Sequence, residues 1–161
     1  MEPRGSAYQA LLEAGSAAAA AFGLVLREGE GVTDPGLSLL RDLEPHLLTD
    51  QLASEWPGTR LLDTSQARVI TYRPATQAMR TLRSAATRLY QWQHPRLPED
   101  LFFQHPDGST WLTTMAHERE AFLTITAEEA AQLTASIPGL TLQLAEASGA
   151  VESSTRPLPE A

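Results

Sequence analysis

The residues best suited to chemistry crowd into one stretch, LPEDLFFQHPDGSTWLTTMAHEREAFLTIT, residues 97–126. It holds His105 and His117, the adjacent carboxylates Glu99 and Asp100, and the run His117-Glu118-Arg119-Glu120. HEREA begins like a zinc-protease signature, in which two histidines four residues apart on a helix bind the metal and a glutamate beside the first acts as base. Four residues after His117 stands Ala121, so the second ligand is missing. His46 and His94 complete the set of four histidines, and their wide spacing does not point to a metal. We assign no metal and no cofactor. Glu99 and Asp100 would suit acid–base work if burial split their pKa values. A small hydrolase-type enzyme would have to combine them with His117, and with His105 as the remaining candidate. The plainer reading makes them the polar start of a strand. There is no Gly-x-Ser-x-Gly elbow and no phosphate-binding P-loop, and EGEG (28–31) does not match the dinucleotide fingerprint.

A second polar feature is a set of arginines. Residues 74–93 read as a helix burying Met79, Leu82, Ala86, Leu89 and Tyr90, with Arg80, Arg83 and Arg88 outward and Arg73 just before it. It stops before His94-Pro95, since the residue preceding a proline resists the α region. Such a stripe would be a solvated face or a docking surface for a phosphate group, an acidic partner or nucleic acid. Single-strand binding would want aromatics among the arginines, and the helical period turns Tyr90 inward.

The elements that must position these residues follow from period and punctuation. Tyr8, Leu11, Leu12, Gly15, Ala18, Ala19 and Phe22 share a helical face between Ser6 and Gly23. Gly15 and the alanines make that face thin, suited to close packing on the chain's own sheet or to a homodimer seam. Leu24–Arg27 reads as a short strand, 37–43 as a short helix ending before Pro45, 46–56 as a strand, and WPGT (56–59) as a turn. ARVITYR (67–73) is a strand by its β-branched and aromatic content. LFFQ, STWLTTMA and AFLTIT, separated by HPDG and HERE, predict a three-stranded meander. Thr126 and Glu129 form a capping box that opens a helix burying Ala130, Leu133 and Ile137. LTLQL (140–144) alternates like a last strand, and the polar residues 146–161 read as a disordered tail. The expectation is a single α+β domain over 1–145, with a mainly antiparallel sheet, a C-terminal meander and helices on one face. In that meander the ionisable groups of 101–125 lie at bends and do not converge on a reactant.

Composition narrows the function. The net charge of −8 disfavours general binding to nucleic acid or anionic membrane. No run of apolar residues is long enough for a transmembrane helix, and no basic-then-apolar leader precedes the alanine-rich run 15–22. The absence of cysteine excludes a thiol nucleophile and permits a cytoplasmic location. All twelve basic residues are arginine, which reflects either high-GC coding or selection for forked donors at an interface. Trp56, Trp92 and Trp111 stand at element ends, where aromatics lock loops onto a core or rim a groove.

LYQWQHPRLPEDLFF followed by HPDGSTWLTTMAHEREAFLTITAEE resembles small uncharacterised bacterial α+β proteins of high-GC genomes. More broadly, it resembles the immunity-type proteins that protect bacteria from their own toxins. The likeness runs from Trp56 to Leu133 and carries no functional residues across. It implies a stoichiometric protein partner and no cofactor. The resulting expectation is a non-enzymatic cytoplasmic interaction domain with an acidic surface steering a basic partner. Its expected contacts are Asp107, Glu118, Arg119 and Glu120 on exposed turns, with Trp56 as an anchor.

Overall fold

The computed structural model describes residues 1–145, so the expected tail lies outside the described residues. In chain order the helix α1 (Gly5–Ala18) leads into β1 (Ala21–Arg27), α2 (Gly36–Leu43) and β2 (Leu47–Ala53). A small hairpin, β3 (Glu55–Trp56) and β4 (Thr59–Arg60), precedes β5 (Ala67–Tyr72) and α3 (Thr76–Ala85). The meander β6 (Glu99–Gln104), β7 (Thr110–Met115) and β8 (Glu120–Leu123) then runs into α4 (Ala127–Ser136). Six strands form one sheet in the order β2-β5-β1-β6-β7-β8, every neighbouring pair antiparallel. The fold is α+β, and the expected capping box opens α4, with Thr126 Oγ1 accepting from the Glu129 N–H. No helix of the described residues is long and apolar enough to cross a membrane.

Strand alternation divides the core in two. Phe22 and Leu24 of β1, Ile70 and Tyr72 of β5 and Phe103 of β6 point to the helices, where Tyr8, Leu12, Leu43 and Leu82 complete the main core. Phe22 stacks on Tyr72 with ring centroids 5.3 Å apart. α1 sits directly on the sheet because Gly15 faces the Phe103 ring, where a Cβ would come within 3.0 Å. The thin face of α1 is therefore covered by this chain's own sheet. On the other side Val25, Ala67 and Phe102 pack with Trp56 of the hairpin in a smaller core. Gly23 leaves room there for Phe102, whose ring would lie 1.9 Å from an added Cβ.

Five elements differ from the sequence reading in extent or burial. α1 stops at Ala18, and Ala21–Phe22 join the strand. The ladder with β5 and the aromatic packing of Phe22 outweigh alanine's helix propensity. α3 ends at Ala85, not at Gln93. Beyond it the backbone pairs with the N-terminal segment: the Gly5 N–H donates to Thr87 O at 2.8 Å and the Leu89 N–H to Pro3 O at 3.2 Å. Residues 46–56 split, with His46 in a 3-10 turn, β2 ending at Ala53 and Glu55–Trp56 folding into the hairpin. Residues 140–144 form no strand; Leu140 and Leu142 instead pack with Ala7 and Ile137. In α4, Ala130 and Leu133 are half-buried, while Ile137, just past its end, is buried.

Candidate functional site

The carboxylates Glu99 and Asp100 sit where β6 leaves its regular register. Gly23 opposes Phe102, but Val25 opposes Glu99, so β6 carries one more residue than β1 over this step. The extra residue makes a β-bulge, and Asp100 takes the left-handed conformation at φ 56 that Asp tolerates better than most residues. Both side chains thereby meet the residues of the hairpin side. β7 ends in a 3-10 turn, Ala116–Glu118, with Arg119 left-handed at φ 58. This turn returns to the bulge, and the ligand atoms of Glu99, Asp100 and His117 fall within 4.8 Å of one another. His117 thus sits at a bend of the meander yet meets Glu99 and Asp100, which precede the stretch 101–125, because a bulge is invisible to strict alternation. His105 stands at the opposite end of β6, in the turn closed by its N–H to Ser109 O.

The cluster is closed by its own hydrogen bonds. Asp100, fully buried, accepts from Trp56 Nε1–H on Oδ2 and from the Ala116 N–H on Oδ1, each at 3.0 Å. Its own N–H donates to Trp92 O. One carboxylate therefore ties the hairpin, the bulge and the 3-10 turn together. Glu99 accepts from Arg27 Nε–H at 2.6 Å, and the Arg27 guanidinium lies over the Trp56 ring, 5.3 Å from its centroid. The Arg27 N–H donates to His94 Nε2 at 3.3 Å, leaving the buried His94 Nδ1 without a partner. Glu30, His94 and Glu99 form a second trio of possible metal ligands. A divalent cation at either trio would compete with Arg27 for Glu99, and at the first with two N–H donors for Asp100. Arg27 offsets the charge of Glu99 and two N–H donors hold Asp100, so the donors present suit a structural network more readily than a metal centre.

The other expected contact residues scatter. Trp56 is only 6% exposed, so it is an internal anchor and not a partner-facing one. Its burial follows from the hairpin folding back over the sheet, with Gly58 against Thr113 and Met115 of β7. Asp107 is exposed, and its carboxyl is held below the usual range by the hydroxyl and N–H of Ser109 in the β6–β7 turn. Arg119 lies 3.7 Å from Glu2 and over the Tyr90 ring, whose phenol is pushed up by burial and by Glu2. Glu118 and Glu120 are exposed, Glu118 beside His117 at 3.6 Å. Arg80 and Arg83 lie on α3, but Arg88 lies past its end, so the three do not make one helical stripe. Arg83 is bound to Glu13 of α1 at 2.8 Å.

What the sequence reading missed is the sheet edge. β2 has a neighbour on one side only, and six of its seven residues are exposed. Four of the exposed large hydrophobics among the described residues, Leu37, Leu47, Leu48 and Leu52, belong to β2 or to α2. Leu52, Leu26, Leu37 and Leu40 line a groove of about 400 Å³ bordered by Glu28 and Glu30. The signal was present in LLTDQLA, a strand whose apolar residues do not alternate, as burial on one face would require. The opposite edge, β8, is only four residues long and begins with Glu120.

The architecture and these two regions define a small antiparallel α+β domain with a hydrogen-bonded polar cluster and an exposed, leucine-bearing edge strand. No protein family matches the chain, and comparison with curated proteins and with solved structures finds no match.

Proposed function

We propose that this chain is a non-enzymatic protein-interaction domain, immunity-like in being a small acidic partner of another protein in the cytoplasm, and that it docks through the β2 edge. One observation carries the reading: past a bulge at Leu48, β2 offers an outward row of backbone donors and acceptors from alternate residues beside exposed leucines, and its one charge, Asp50, is held by Arg68 of the neighbouring strand. The net charge of −8 favours a basic partner over nucleic acid. The test is affinity capture from the native host with the wild-type chain, Leu52→Lys and His117→Ala. The expected result is a partner retained by wild type and His117→Ala and lost from Leu52→Lys, whose melting temperature stays unchanged. Retention by Leu52→Lys would remove β2 from the docking surface.

A second reading is a small hydrolase using His117 with Glu99 and Asp100, favoured by their convergence within 4.8 Å. It requires turnover of an ester or phosphoester that disappears in His117→Ala and a protein that still melts as wild type. The phosphate or nucleic-acid regulator built on Arg80, Arg83 and Arg88 has less behind it, since Arg83 is held by Glu13 and Arg88 lies off the helix.

A further inference from the structure

Resting on the docking reading above, we infer that the β2 edge takes an extended, apolar segment carrying lysine or arginine as a seventh strand. Two features of the edge select that occupant. The backbone of β2 is unpaired on its outer side, which an extended segment satisfies by adding a strand, with alternate side chains entering neighbouring pockets. The pocket here is the groove of about 400 Å³ that runs inward from Leu52 of β2 across β5 to Leu26 of β1 beneath Leu37 and Leu40 of α2, so a side chain that the segment sends inward past Leu52 is apolar.

The rim decides the charge. Both arginines beside the groove are already engaged, Arg27 with Glu99 and Arg68 with Asp50. Glu28 and Glu30 are exposed and have no arginine within ion-pair distance among the described residues; Glu28 accepts only the Gln66 N–H, and the His94 Nε2 that lies 3.8 Å from Glu30 accepts the Arg27 N–H. The uncompensated charge at the groove is therefore negative, and a cation on the incoming segment complements it. A second copy of this chain fits less well. Its β2, LLTDQLA, brings no cation to Glu28 and Glu30, and the two copies would each carry a net charge of −8.

The experiment is selection of phage-displayed short random peptides on the full chain, with counter-selection on Leu52→Asp. The enriched peptides should alternate apolar residues and carry lysine or arginine. They should lose about tenfold or more in affinity against the Glu28→Lys/Glu30→Lys double variant, and should slow hydrogen exchange at the backbone amides of β2. Leu52 and both glutamates are exposed, so these variants keep the fold, and their melting curves check it. Three outcomes would overturn the inference: no enrichment beyond the counter-selection, peptides indifferent to the glutamates, or protection away from β2. A dimer in sedimentation that Leu52→Asp dissolves would give the edge to a second copy instead. If the host partner still needs Leu52 while the selected peptides show no basic preference, the docking reading stands and only the segment's chemistry falls.

Discussion

Asp100 and Asp50 are both strand aspartates, yet they meet opposite surroundings. Asp100 lies on β6 at the bulge, covered by a hairpin and a turn whose N–H groups it accepts. Asp50 lies on the edge strand β2, half in solvent, held by the Arg68 side chain across the ladder. Both carboxylate oxygens of Asp100 accept an N–H from within the chain. Along Asp50's strand it is the outer side of the backbone that has no strand beside it. The paired carboxylates that attract attention in the sequence are here bonded to Arg27, the hairpin and the 3-10 turn. The edge at β2 instead exposes leucines and main chain.

The sharpest way to break this contrast is to remove the carboxylate at its centre. Asp100→Ala strands Trp56 Nε1–H and the Ala116 N–H in a buried site and puts a side chain less tolerant of φ 56 at the bulge. A loss of about 4 kcal/mol is expected in urea unfolding, with Trp56 fluorescence reporting release of the hairpin. Asp100→Asn, which tolerates the same backbone and keeps an acceptor, should lose about half of that. A variant more stable than wild type would reverse the reading, since a carboxylate strained for catalysis stabilises the fold when removed.

How far this contrast was legible in the sequence depends on whether its cause was local. The meander, β5 and the capping box rest on alternation, β-branched content and a three-residue spacing, and the structure repeats them. The end of α3 depends on residues 3–5, more than seventy positions away, and no pattern within 74–93 records it. Trp56 was placed correctly at a turn, but the hairpin's return over Phe102 is a tertiary event. The bulge left one trace, two acidic residues opening β6 ahead of Leu101-Phe102-Phe103, a strand buried on both faces. The sequence alone makes them a polar start, and only the register against β1 turns them to one side.

Two ion pairs sharpen the comparison at smaller amplitude. In a double-mutant cycle, Arg27→Met with Glu99→Gln should give a coupling of about 1–2 kcal/mol that persists as salt is raised, because the pair is mostly buried. The matching cycle for Arg68 and Asp50, whose side chains are 51% and 35% exposed, should give about 0.5 kcal/mol or less and fade with salt. Equal couplings, or equal salt dependence, would mean that the two regions do not differ in solvation as their geometry implies.

The smallest effect separates the turn's backbone from its side chains. The 3-10 turn after β7 is fixed by the Ala116 N–H to Asp100, while the Glu118 side chain is 54% exposed and its one ion-pair neighbour among the described residues is His117 at 3.6 Å. Glu118→Ala should therefore change stability by less than about 0.5 kcal/mol, within the range of ordinary surface substitutions, and leave the melting temperature nearly unmoved. A drop approaching that of Asp100→Ala would show that the turn is held through its charges. His117 would then be oriented by Glu118 toward Glu99 and Asp100, as a working base is oriented by a third group, and the polar cluster rather than the β2 edge would become the place to look for activity.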